Sequence, residues 1–394
     1  MMKPLTIDMN YMTGALQQML DIPSPSGFTD QIVHWTGEAL SDLGIEFELT
    51  RRGAIRADLP GKFTSPDRAI VAHLDTLGAM VKALKSNGRL ELVPIGTWSS
   101  RFAEGARVTV FTDEHAHRGT ILPLKASGHT FNKEIDSQPV EWAQVELRID
   151  ELVSRHEDLV RLGINVGDYV AVDPRPEFTP AGFVVARHLD NKAGAATILA
   201  AAKALVESGE TLPVDCHLLF TITEEIGSGA SAVLHKDVAE LLSVDNGTVA
   251  PGQNSSERGI TVAMKDSSGP FDYHLTHKIL KLCAEHGLPH ERDVFRYYYC
   301  DATSALEAGN DIRTALVCFG LDASHGHERV HLDSLKHLAE LLTLYARSAP
   351  TFARDAEKLG NLEGFPTQIT DNMREELDPD ANTVTPMAMA EQER

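Results

Sequence analysis

Five times along this chain a short apolar run leads to a residue that can hold a metal or carry a proton. The runs at residues 68–73, 183–189, 218–223, 241–244 and 313–319 lead respectively to His73, Asp190, the pair Glu224-Glu225, Asp245, and Ala323-Ser324-His325. Runs of this length, rich in β-branched and aromatic residues and bounded by turn formers, read as buried strands. Open α/β sheets bind their ligands at the carboxyl ends of strands. Collecting so many carboxylates on one sheet edge costs too much without compensating positive charge, and divalent cations supply it. Each residue alone has a plainer reading: a hydrogen-bonded core histidine at 73, a helix N-cap at 190, a turn former at 245. The recurrence weakens those readings jointly.

The pattern around these runs divides the chain. Residues 11–43 read as two helices broken by Pro23-Ser24-Pro25-Ser26-Gly27, and 45–49 alternates like an edge strand with 54–59 as its partner. Between residues 78 and 182 the texture becomes short alternating segments (90–93, 107–111, 119–124) with turn residues between them and one helical stretch near 150–162. This predicts a small β-rich, barrel-like domain inserted into an α/β one. His115 and His117 within it read as solvated edge residues. The α/β pattern returns at 183, with an Ala-rich helix to about Ser208 and helices at 272–286 and from Asp333. The expected organisation is a catalytic domain of residues 1–77 and 183–350, an insert of 78–182, and a flexible acidic C-terminal extension of 351–394.

Charge narrows the partners. The 394 residues carry 57 Asp and Glu against 36 Lys and Arg, a formal net charge of -21, which argues against nucleic acid or an anionic membrane. No apolar run is long enough to span a bilayer, and the first residues lack the core of a signal peptide. Cys216, Cys283, Cys300 and Cys318 form no C-x-x-C pair and read as buried free thiols, which fits a cytoplasmic protein. His73 and Asp75 are spaced to face one way on a strand, whereas Glu224 and Glu225, being adjacent, point apart and need not share a task. Oxygen and imidazole donors without thiolate suit Zn, Co or Mn, and the inventory is large enough for two metals sharing a bridging carboxylate.

The ordered series His73-Leu74-Asp75-Thr76-Leu77-Gly78, His188-Leu189-Asp190-Asn191-Lys192-Ala193-Gly194, Thr223-Glu224-Glu225-Ile226-Gly227, Val244-Asp245 and Ser324-His325 resembles the tetrahedral aminopeptidases. These are the glutamyl and deblocking enzymes of metallopeptidase family forty-two, clan MH. The resemblance covers most of the chain to about Ser348 and includes Leu162-Gly163-Ile164-Asn165-Val166-Gly167-Asp168 and Tyr299-Cys300-Asp301-Ala302. It is most like a branch associated with a dipeptide-derived osmolyte. The resemblance implies a mixed-sheet, phosphorylase/hydrolase-like metallopeptidase domain with helices on both faces, and an insert used for dimerisation or oligomerisation. It implies two divalent metals per chain, zinc first and cobalt or manganese as alternatives. His73 and Asp245 would hold one, Glu225 and His325 the other, and Asp190 would bridge. Glu224 would be the general base and Asp75 would orient His73. The implied substrate is a peptide or a small dipeptide-like amide, and the implied assembly is a homo-oligomer built from dimers, up to a dodecamer.

Three departures surround these positions: Thr76 where the family usually has Glu, Asn191 where Asp is common, and Gly96-Thr97-Trp98-Ser99 in place of Gly-Gly-Trp-Asp. His327 competes with His325 as the last ligand, and His325 is favoured. A rival mechanism lies in His327-Glu328-Arg329-Val330-His331, a literal H-E-x-x-H, which as a mononuclear zinc site needs both histidines on one face of a helix. A non-catalytic oligomeric binding protein is the other alternative, and it would be expected to have lost a ligand or the base.

Overall fold

The computed structural model describes residues 2–368. Four parallel strands form its centre, in the order Leu212–Thr221, Gly61–His73, Val238–Val249 and Arg313–Asp322. Antiparallel strands extend them at both sides: Ile55–Leu59 and Phe47–Leu49 beside Leu212–Thr221, and Glu328–His331, Phe183–Ala186 and Glu177–Phe178 beyond Arg313–Asp322. Ile260–Lys265 also pairs antiparallel with Arg313–Asp322 and carries His290–Val294 as a parallel neighbour. The result is an eleven-stranded mixed sheet. Parallel strands need cover on both faces, which explains why their apolar runs are nearly unbroken.

The helix Leu189–Ser208 shows how composition sets this packing. It is buried along most of its length, and Ala193, Ala195, Ala196, Ala200, Ala201 and Ala202 let neighbouring backbones approach closely. It packs against Met9–Asp21 and Leu332–Arg347 and ends at Gly209 in the left-handed conformation, φ 63°. Thr221 turns to the other face, where its hydroxyl donates to Asp301 on the short helix Asp301–Glu307.

Between Gly78 and Val172 the chain closes a six-stranded barrel in the order Gly78–Leu84, Leu90–Ile95, Val145–Ile149, Ala116–Pro123, Arg107–Phe111 and Tyr169–Val172. Val81, Leu92, Val108, Val110, Ile121 and Leu147 help fill a core of its own, distinct from the one around the large sheet. The helical stretch expected near 150–162 shrinks to His156–Arg161. His117 is buried rather than solvated, its Nε2 3.0 Å from the Leu162 carbonyl. The four cysteines are buried and unpaired, as expected. Among the described residues no helix is long and apolar enough to cross a membrane. Residues from Phe352 onward form a separate unit, whose described part holds one short turn of helix, Ala353–Ala356. The expectation of a flexible acidic extension falls mainly on residues 369–394, which lie outside the described residues.

Candidate active site

Strand register brings the first two ligand-type residues level. Ser243 pairs with Val71, so Asp245, two residues on, sits beside His73 at the end of Gly61–His73. Asp245 does not end its strand, as the sequence suggests; the strand runs on to Val249. Asp190 is delivered by a non-helical kink at the start of Leu189–Ser208, where its backbone is extended (φ -77°, ψ 106°), rather than by a strand. Leu212–Thr221 stops three residues short of Glu224, so the two glutamates lie in a turn and both carboxylates reach the same cluster. Strand alternation has already ended there, so the turn and not the strand directs Glu224 to His73 and Glu225 to His325. His325 lies in the turn after Arg313–Asp322, in the left-handed conformation, φ 65°.

These residues form two overlapping groups, His73 with Asp190 and Asp245, and Asp190 with Glu225 and His325. In each, one ligand-type atom per residue lies within 4.8 Å of the others. Asp190 divides its carboxylate between them: Oδ1 is 3.3 Å from His73 Nε2, and Oδ2 is 3.4 Å from His325 Nε2. Glu224 Oε2 is 3.6 Å from His73 Nε2, and Glu225 Oε2 is 3.6 Å from His325 Nε2. The other ring nitrogens face main-chain carbonyls, His73 Nδ1 at 2.9 Å from Asp75 O and His325 Nδ1 at 2.7 Å from Thr97 O. Those contacts fix both rings with Nε2 turned into the cluster.

Asp75 meets His73 through its carbonyl and its carboxylate and also holds the glutamate turn. Its carboxylate is 3.6 Å from His73, whereas it accepts hydrogen bonds from Ser26 Oγ at 2.5 Å and from the main-chain N–H groups of Glu224 and Glu225 at 3.1 and 3.3 Å. It therefore fixes the glutamate turn, and it is the Asp75 carbonyl that orients His73. The loop Gly96–Trp98 leaves the barrel and reaches the other group. Gly96, at φ 79°, packs so closely that a Cβ there would come within 2.5 Å of Leu77 and 3.4 Å of the Glu225 carbonyl. Trp98 anchors the loop by donating Nε1–H to Gly78 O at 2.9 Å, with Trp142 packed edge-on against its ring.

Several contributors fall outside the ligand series read from the sequence. Glu328 accepts the main-chain N–H of Asp190 at 3.1 Å and of His325 at 2.9 Å, one on each carboxylate oxygen. Asp301 accepts from Thr221 and lies beside the Glu224 turn. Tyr297, Tyr298 and Tyr299, with Ile226 and Thr97, line a cavity of about 760 Å³ over the cluster. The H-E-x-x-H segment is not helical. Glu328–His331 is a strand paired with Phe183–Ala186, His327 is exposed outside both groups, and His331 Nε2 faces the Ala181 carbonyl. That removes the geometry the mononuclear zinc reading needs.

The electrostatics test whether cations fit. Burial, reinforced by neighbouring carboxylates, pushes Glu224 and Glu225 well above the usual range, Asp245 and Glu328 up to about 8, and Asp301 up to about 7. Burial pulls the two imidazoles down, but the surrounding acids outweigh it, holding His325 at about 10 and His73 well above its usual value. His73 Nε2 and Glu225 Oε1 are buried without hydrogen-bond partners. No Lys or Arg lines the cavity among the described residues. An anionic cluster with an unpartnered imidazole nitrogen and an unpartnered carboxylate oxygen fits divalent cations, and its oxygen and nitrogen donors fit zinc-like ions.

A mixed sheet with this edge, interrupted by a barrel, belongs to a metallo-aminopeptidase, a hydrolase acting on peptide bonds. Comparison with known proteins specifies it further. The family model described as M42 glutamyl aminopeptidase matches residues 53–341, and the chain belongs to that family of di-metal peptidases. It is 36% identical to YhfE of Bacillus subtilis over 334 residues, covering 84% of this chain and 96% of that one. It is 24% identical to the glutamyl aminopeptidase of Lactococcus lactis over 217 residues, 54% of this chain and 59% of that one. Among solved structures, a TET aminopeptidase from a marine sediment Thaumarchaeota archaeon shares the fold with a TM-score of 0.79 at 17% identity, covering 88% of this chain and 98% of that one. The Pyrococcus horikoshii TET1 peptidase, which assembles into a tetrahedron or a large octahedral shell, gives 0.76 at 20% identity, covering 86% and 100%.

Proposed function

We propose that this chain hydrolyses the N-terminal bond of peptides, or of a small dipeptide-like amide, at a site where Asp190 is shared between two divalent metals. His73 and Asp245 would complete one site, Glu225 and His325 the other. The observation that carries this reading is the division of the two Asp190 oxygens between two imidazole nitrogens. Cations held there supply Lewis acidity to the scissile carbonyl and lower the pKa of the attacking water. Zinc is the metal we favour, ahead of cobalt and manganese.

The chain's own groups do the rest. Glu224 lies at the cavity wall and is not a member of either ligand group, so its carboxylate is free to take a proton from water and return it to the leaving amine. Asp75 keeps that carboxylate in place through the Glu224 N–H. The open cavity admits the substrate, with the tyrosines and Ile226 as its walls.

The assemblies of the TET1 relative support a homo-oligomer, with residues 78–182 as an inserted contact domain in a catalytic domain of 1–77 and 183–350. Four buried free thiols support a reducing, cytoplasmic setting.

The test combines metal analysis with hydrolysis of an aminoacyl-anilide panel by wild type and Glu224→Gln. The expected result is about two metals per chain in both proteins, with turnover reduced about 10²–10⁴-fold in the variant. One metal per chain, with turnover indifferent to Glu224, would overturn the reading.

A further inference from the structure

We propose a third cation site, remote from the catalytic edge, formed by Asp58, His217 and His235. His217 lies on the Leu212–Thr221 strand opposite Asp58 on Ile55–Leu59, four residues before the strand end. At the rise of an extended chain this puts it about 13 Å back along the sheet from the strand end at Thr221. Asp58 Oδ1 is 2.7 Å from His217 Nδ1 and 3.3 Å from His235 Nε2. The three ligand-type atoms lie within 4.8 Å of one another, and the two rings tilt at 55° with centroids 4.4 Å apart. They share no residue with the catalytic cluster.

The surroundings are built as a ligand shell is built. His217 is fully buried, and its far nitrogen, Nε2, faces Asp67 Oδ2 at 3.2 Å. A carboxylate behind an imidazole fixes the tautomer and turns the opposite lone pair toward a metal. Asp67 is itself buried and receives the Asp237 N–H at 3.4 Å. Lys236 donates to the outer oxygen of Asp58, Oδ2, at 2.6 Å, which leaves Oδ1 turned to the two histidines. The Asp58 side chain is 37% exposed, so a cation has an entry path and room for water as a further ligand. Two imidazoles and one carboxylate with an open position suit zinc. His217 and Asp58 belong to the sheet, whereas His235 belongs to the loop between Gly229–Ala232 and the Val238–Val249 strand. A bound cation would pin that loop to the sheet.

The test is zinc titration of the chelator-stripped full chain, followed by metal analysis, for wild type, Asp58→Asn and His235→Gln. Each variant is expected to bind one equivalent fewer than wild type and to retain aminopeptidase turnover. Zinc is expected to raise the melting temperature of catalytically disabled Glu224→Gln, and less so when Asp58→Asn is added. Asp67→Asn keeps all three ligands and should weaken the extra equivalent about 10–100-fold. Equal stoichiometry in wild type and both variants would overturn the proposal. Because the result is a difference of one equivalent, it reads independently of how many metals the catalytic cluster holds.

Discussion

The two groups that share Asp190 are built from different material. His73 and Asp245 stand level on parallel strands in the middle of the sheet, and both are almost wholly buried. Glu225 and His325 stand on turns, and the His325 side chain is 32% exposed. The sheet alone places the first pair. The second is placed partly from outside, by a loop of the barrel whose carbonyl holds His325 Nδ1 and whose Gly96 packs against Glu225. Positions on strands are held more closely than positions on loops, so the first group is the stiff half of the site and the second the adjustable half.

Substitution in the stiff half should have the largest effect. His73→Ala removes a buried imidazole of the proposed metal site, and turnover should fall by about 10²–10³-fold or more, with one metal lost per chain. An active two-metal His73→Ala protein would break the comparison at once. Next comes Trp98→Ala, which frees the loop without touching a ligand. Affinity should drop about 10–100-fold for one equivalent and leave the other unchanged. Equal weakening of both equivalents would mean that the barrel supports the whole edge.

Chelator challenge of the wild type sharpens the same point. Metal should leave in two phases, the faster carrying one equivalent, and Trp98→Ala should accelerate that phase alone. The smallest effect is expected for Ser26→Ala, which removes one of the donors to Asp75. A loss of about 2 kcal/mol, read as a lower melting temperature, is the scale for one hydrogen bond to a charged group. Metal content should stay at the wild-type level.

The same contrast explains what could be read from the sequence. His73 ends an apolar run, Glu224-Glu225, Asp190 and Asp245 come at the close of others, and His325 lies a few residues beyond a fifth, so a local pattern marks all six. Their supports lie elsewhere in the chain. Thr97 is 228 residues from His325, and Glu328 is 138 from Asp190. Such contacts are set by how the barrel and the sheet edge close on each other, which no window of residues encodes. Glu328 was further hidden inside an H-E-x-x-H string, whose reading depended on a helix that strand pairing with Phe183–Ala186 forbids. For the two glutamates strand alternation is not the governing rule, because the strand ends at Thr221.

The carbonyl of Thr97 has a consequence beyond holding a ring. Coupling free energies are reciprocal: whatever the seated loop contributes to cation affinity at His325, the bound cation must return to the seating of the loop. The barrel and the adjustable half of the site therefore report on each other. A force applied to the barrel, including one from a neighbouring copy of the chain, would be felt as a change in the occupancy of one metal and not of the other.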